Sequence, residues 1–243
     1  SFAGYWAWDP VENSSLVPWI TLVAGIHTNL VARNTGYSIR STYGLYLMTF
    51  VLILYSTYLT RSGILGDTSA HAFTEMGLGF QLLLYIIAFS IFSLAMWIWR
   101  YKEVPDIKGE ESAKSREFWM FIGSLVFFLS ALFIIAITSI PVYNKIPLIG
   151  DLISKYHGGK LAMPEDSEFL YNKVMVLVAF IIGILTAITQ YLKYKNTEKG
   201  YFFKKIAFPT LIAALITTLL AVFYPVNFYK HGAGFLGAIY IAL

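Results

Sequence analysis

Six stretches of this chain run for 17 residues or more without an Asp, Glu, Lys or Arg: 16–32, 43–59, 78–99, 118–140, 174–192 and 206–223, and a seventh opens at 233. About 20 apolar residues in helical form cross a hydrocarbon core of ~30 Å. Strands that cross a membrane alternate polar and apolar side chains, whereas 125–137 and 174–185 are unbroken in their apolarity. The expected fold is therefore an all-α polytopic membrane protein with six transmembrane helices and a truncated seventh. The first two runs are short, so flanking residues such as Ser14, Ser15 and Tyr58 are expected to complete those helices. Composition agrees: 57% of the 243 residues are hydrophobic and 13% charged, against about 25% charged in soluble domains. A water-soluble enzyme is excluded, and lipid is the first partner.

Basic residues mark the sides of the membrane. Loops 33–42, 100–117 and 193–205 hold 12 of the 18 Lys and Arg, so they are expected on the cytoplasmic side. Residues 1–15, the loop around His71 and the long loop 141–173 then share the extracytoplasmic side. The division into an extracytoplasmic segment 1–15 and a helical core 16–243 follows. The formal charge of +4 is spread over short loops without a continuous stripe, so no nucleic acid is expected. Cysteine is absent, and any thiol chemistry belongs to a partner. The chain starts at Ser1 without a leader pattern and stops inside an apolar run, as expected of a piece of a longer protein.

Few residues in such a chain can carry chemistry. His27 is the one imidazole inside the charge-free spans, about 16 Å along a helix that starts near Leu16. An intramembrane imidazole is a functional candidate and a good iron ligand; the competing reading is a packed histidine satisfied by a neighbouring helix. His71, just past the second span, is a second candidate ligand for a metal or haem, although a lone loop histidine is more often simply solvated. His157 and His231 carry still less signal.

The segment Gly4-Tyr5-Trp6-Ala7-Trp8-Asp9-Pro10-Val11-Glu12-Asn13 is more than an aromatic belt. Two acids above an apolar helix, with no adjacent base, suggest a shaped platform or a helix N-terminus capped by Asn13. Aromatic faces stack on a flat macrocycle. Arg61, ending the second span on the same side, either pairs with a carboxylate such as a haem propionate or snorkels to the interface. Phosphate loops, zinc-protease motifs and hydrolase elbows are all missing.

The N-terminal segment, continued through Ser14-Ser15-Leu16-Val17-Pro18-Trp19, resembles the tryptophan-rich WWD signature of the CcmF family of cytochrome c haem lyases. The likeness continues through His27, through Leu59-Thr60-Arg61-Ser62-Gly63-Ile64-Leu65 and Ser69-Ala70-His71-Ala72-Phe73, and at Glu168-Phe169-Leu170-Tyr171-Asn172-Lys173-Val174. The resemblance implies a multi-pass protein of the bacterial inner membrane with its WWD segment in the periplasm. It implies that haem arrives from the chaperone CcmE at this platform and is joined by thioether bonds to the cysteines of an apocytochrome c presented by other maturation subunits. Under it, Tyr5, Trp6, Trp8, Asp9, Glu12, Asn13 and Arg61 bind cofactor, and His71 ligates the iron of the haem in transit. His27 ligates a stable intramembrane haem b. Each histidine would have a partner outside this chain, one before Ser1 and one after Leu243. Tyr5 and Ala7 replace the family's more usual Trp and Phe. The paralogue NrfE shares these motifs; the CcsA type, with its Trp-Asp-Pro-Lys-Glu, fits less well. A haem exporter or solute transporter, in which His27 lies on the pathway, is the alternative from another class, and the broken helices or repeats it would bring are not evident.

Overall fold

The computed structural model describes residues 6–73, 77–105, 107, 112–223 and 237. Tyr5, His231 and the seventh span expected from 233 lie outside them. Among the described residues all regular structure is helical: α1 (Pro10–Thr35), α2 (Ile39–Arg61), α3 (Gly79–Arg100), α4 (Arg116–Thr138), α5 (Ile140–Lys145), α6 (Pro147–His157), α7 (Ser167–Thr189) and α8 (Lys199–Phe223). All except α5 and α6 are long and apolar enough to cross a membrane. The chain is an all-α multi-pass membrane protein.

α1 is the most buried of the spans and packs against both α2 and α4; α3 joins α2, and α7 joins α4. In lipid there is little hydrophobic gain from helix association, so close packing of small residues and hydrogen bonds between helices hold a bundle together. Both occur here. Gly25 lets α2 approach so closely that a β-carbon at this position would stand 2.7 Å from the Tyr46 ring. The Thr49 hydroxyl donates to Thr21 at 2.9 Å, and Ser14 and Ser56 share a hydrogen bond at 3.2 Å. The apolar centre comprises Val17 and Ile20 of α1, Ala131 and Ile134 of α4, and Tyr171 of α7. Leu59, Ile64 and Leu65 form a second cluster under the loop that follows α2.

Five of the six long helices begin earlier than the charge-free runs do; α3 is the exception. α1 starts at Pro10, six residues before the apolar run, because its first turn wants an acid and a proline, both of which hydropathy counts against a span. Its N-cap is Asp9, whose side chain accepts from Val11 N at 2.9 Å. Asn13, expected to cap the helix, lies inside its first turn, and its amide donates instead to the Trp8 carbonyl at 2.9 Å. α7 likewise starts at Ser167, with Asp166 accepting from Phe169 N, so that Glu168 and Lys173 fall inside a helix. α1 ends at Gly36, whose φ of 78° is the left-handed turn that glycine adopts freely. The long loop 141–173 contains α5 and α6, joined at Pro147, and a pair of hydrogen bonds at 2.9 Å between the Asn144 side chain and the Leu161 backbone.

Contacts also tie the chain at the opposite end of the bundle. Ser115 caps α4, buried Glu117 accepts from Lys195 N at 2.6 Å, and Arg116 N donates to Lys193 O at 3.0 Å. Arg40, at the start of α2, lies 4.4 Å from the Tyr101 ring centroid past the end of α3.

Candidate functional site

Three stretches far apart in sequence meet where α1 begins. Trp8 and Asp9 come from the segment before α1, Ser69 and His71 from the loop after α2, and Tyr171 and Asn172 from the first turns of α7. An up-and-down bundle puts the start of α1, the end of α2 and the start of α7 on one side. Hydrogen bonds do the rest.

Asp9 is the hub. Its Oδ1 caps α1 through Val11 N, accepts from the Ser69 hydroxyl at 2.6 Å and lies 3.4 Å from His71 Nδ1. Ser69 in turn accepts from His71 N at 3.1 Å. The Asp9 side chain is 14% exposed and that of His71 30%, so the pair sits at the edge of the protein, with the imidazole the more accessible member. A helix N-terminus favours a negative group.

Trp8 is held from four directions. Its Nε1 donates to Asn172 Oδ1 at 2.7 Å, and its ring stacks on Tyr171 with centroids 4.9 Å apart and planes 13° from parallel. Its carbonyl receives the Asn13 amide, and Trp6 meets it edge-on at 6.1 Å. Its φ is 54°, in the left-handed region, which is an outlier for so bulky a residue and costs on the order of 1–3 kcal/mol. These contacts hold it there. One face of the indole is therefore covered by Tyr171, and Trp8 is a wall of the site. Trp6, 40% exposed, is the ring still open to an approaching molecule. Glu12 Oε2 accepts from Ala7 N at 3.3 Å and so fixes the backbone between the two tryptophans.

Arg61, exposed at the end of α2, lies with its guanidinium 4.4 Å from the Phe73 ring centroid, and Phe73 N donates back to Thr60 O at 3.2 Å. This closes the loop that carries His71. The structure thus brings Trp6, Trp8, Asp9, Glu12, Asn13 and His71 into one neighbourhood and places Arg61 on the same loop system. His27 stands elsewhere, eight residues before the end of α1, where Nδ1 donates to Val23 O at 2.8 Å and the ring tilts against Phe127 at 5.9 Å. That bond commits Nδ1 and makes Nε2 the acceptor nitrogen. His157 ends α6 and joins neither place.

Sequence reasoning did not single out Ser69, Tyr171 and Asn172. Each lies in a block that carries the resemblance, and Tyr171, a polar aromatic at the start of a span, is wholly buried. Its hydroxyl meets Thr138 at 3.3 Å. No group of three or more His, Asp or Glu side chains among the described residues is arranged to hold a metal ion. A bare ion has no cage here. A macrocycle that brings four ligands of its own would need a histidine, an aromatic face and a cationic partner for its acids, residue types that His71, Trp6 and Arg61 supply.

Residues 1–65 match the family model described as "Cytochrome C assembly protein". The chain is 27% identical over 225 residues to the cytochrome c-type biogenesis protein CcmF of Pseudomonas fluorescens, an alignment covering 90% of this chain and 31% of that protein. CcmF of Pseudomonas aeruginosa is 29% identical over 221 residues, 88% of this chain and 30% of that protein. The probable cytochrome c-type biogenesis protein NrfE of Escherichia coli is 34% identical over 138 residues, 56% of this chain and 24% of that protein. The chain spans less than a third of the length of these relatives. No solved structure matches it.

Proposed function

The chain belongs to the CcmF-type family of cytochrome c biogenesis proteins, and on that premise we propose that it forms part of a cytochrome c haem lyase in a bacterial inner membrane, with the Trp8–Asp9–His71 neighbourhood facing the periplasm. The observation that carries this is the convergence of three separated blocks on Asp9 and Trp8, which leaves a half-buried histidine beside an exposed indole.

Haem, when bound, supplies the two vinyl groups across which external cysteine thiols add, each S–H giving one C–S and one C–H bond with no net transfer of electrons. The chain's residues hold and orient. His71 would offer a nitrogen to the iron, Trp6 an aromatic face, and Arg61 a guanidinium to an acidic side group. Trp8, locked on Tyr171 and Asn172, fixes where Trp6 and Asp9 stand. Positioning of this kind converts an encounter between two partners into a local event. The thiols come from an apocytochrome c, because these 243 residues hold no cysteine, and the haem comes from a chaperone of the CcmE kind. His27, with Nδ1 committed to Val23 O, is arranged as a ligand for a second, resident haem b inside the membrane, whose role is to control the oxidation state of the iron in transit.

The two histidines separate the test. His71→Ala in the full-length protein is expected to abolish cytochrome c assembly and retention of chaperone-delivered haem while the haem b absorption of the purified protein persists. His27→Ala is expected to remove that absorption. Normal cytochrome c yield from His71→Ala would overturn the reading of the periplasmic site, and unchanged haem b from His27→Ala that of the intramembrane one.

A further inference from the structure

The two candidate haem ligands are supported by different acceptors. His27 Nδ1 is bonded to a backbone carbonyl at 2.8 Å, whereas His71 Nδ1 faces the carboxylate of Asp9 at 3.4 Å. We infer that Asp9 is a positioning residue for His71, fixing its Nδ1–H tautomer, directing Nε2 to the iron and making the imidazole a stronger electron donor than a carbonyl-backed histidine. The inference rests on the reading of His71 as a haem ligand and goes beyond it by assigning the group that sets that ligand's strength.

Asp9 Oδ1 already accepts from Val11 N and the Ser69 hydroxyl and is placed as an acceptor toward the ring, so the nitrogen beside it is the one that carries the proton. The other nitrogen is then the ligand. Histidines bound to metals commonly donate their second N–H to a carboxylate or carbonyl, which fixes the ring and raises its basicity. Three features make Asp9 more than a neighbour. It is anchored, because its Oδ1 caps α1 through Val11 N, and its negative charge is favoured at that helix end. It is tied to His71 a second time through Ser69, whose hydroxyl donates to Asp9 at 2.6 Å and accepts from His71 N at 3.1 Å. The loop backbone and the ring are thus referred to a single oxygen. The gap of 3.4 Å exceeds the 2.7–2.9 Å typical of a charge-assisted bond, and bonds of this kind commonly tighten when the ligand arrives. With the backbone pinned, a small ring movement closes it.

The first test needs no haem. In haem-free protein labelled with 15N-histidine, the His71 signals, identified by their loss in His71→Ala, are expected to show a protonated Nδ1 and an unprotonated Nε2. Asp9→Ala is expected to lose that preference. The second test uses Asp9→Asn, which keeps a helix-capping oxygen and an acceptor for Ser69 but removes the charge. In the haem-loaded full-length protein this variant is expected to lower the iron–histidine stretching frequency, raise the midpoint potential of that haem and weaken its retention by ~10–100-fold. A wild-type His71 protonated at Nε2, or a stretch and potential unchanged in Asp9→Asn, overturns the inference. If His71→Ala retains the same haem, the ligand reading itself has failed, and the tautomer measurement still decides what Asp9 does.

Discussion

Trp8 is the residue on which the candidate site depends. Its backbone sits where a bulky side chain is disfavoured, and Asn13, itself wholly buried, holds its carbonyl. Asn13→Ala leaves that carbonyl without its donor, and a loss of about 1–3 kcal/mol is expected in reversible unfolding of the protein in mixed micelles. Tyr171→Ala removes both the stacking face and a fully buried ring, for which about 3–5 kcal/mol is expected. Tyr171→Phe, keeping the ring and losing only the hydroxyl contact to Thr138, is expected to cost about 1 kcal/mol. The aromatic and acidic residues of this site were legible in the sequence because they interrupt an apolar chain. Their partners were not. Asn172 lies 164 residues from Trp8, and no periodicity or spacing relates two positions brought together only by the return of α7 to the same end of the bundle.

At the level of helices, sequence reading found the six spans seen among the described residues and set several of their starts too late. Runs without charge mark the hydrocarbon, but helices extend into the interface, where Asp9, Glu12, Glu117 and Glu168 are favourable at N-termini. Contacts between spans were less legible, because a glycine in an apolar run gives no sign of what approaches it. Gly25 is such a case. Gly25→Ala forces Tyr46 aside, and a loss of about 1–3 kcal/mol is expected from overpacking the α1–α2 seam. Tyr46→Leu in the same protein is expected to recover much of it, so a double-mutant cycle should give a favourable coupling between the two sites. The latch at the other end of the bundle makes a separate prediction. Glu117→Ala strands Lys195 N and is expected to cost about 1–3 kcal/mol, additive with Tyr171→Ala within about 0.5 kcal/mol because the two sites lie at opposite ends of the bundle and share no partner.

For the molecule as a whole, orientation rests on the distribution of charge. These 243 residues contain no cysteine, so a thiol introduced here is the only one in this stretch of the protein. Asp67→Cys and Lys199→Cys are both exposed positions in loop or helix end. An impermeant maleimide is expected to label the first and not the second in intact cells, and the reverse pattern would turn the bundle over. The same vectorial arrangement has a temporal side. Trp8 is near the beginning of the chain, yet the tyrosine and asparagine that hold it arrive with α7. At about 5–20 residues per second of synthesis, the indole waits roughly 10–30 s for them without its seat. The face around Trp8 is therefore finished late, only after α7 has been inserted, and a nascent chain offers His71 no completed platform before the bundle behind it has closed.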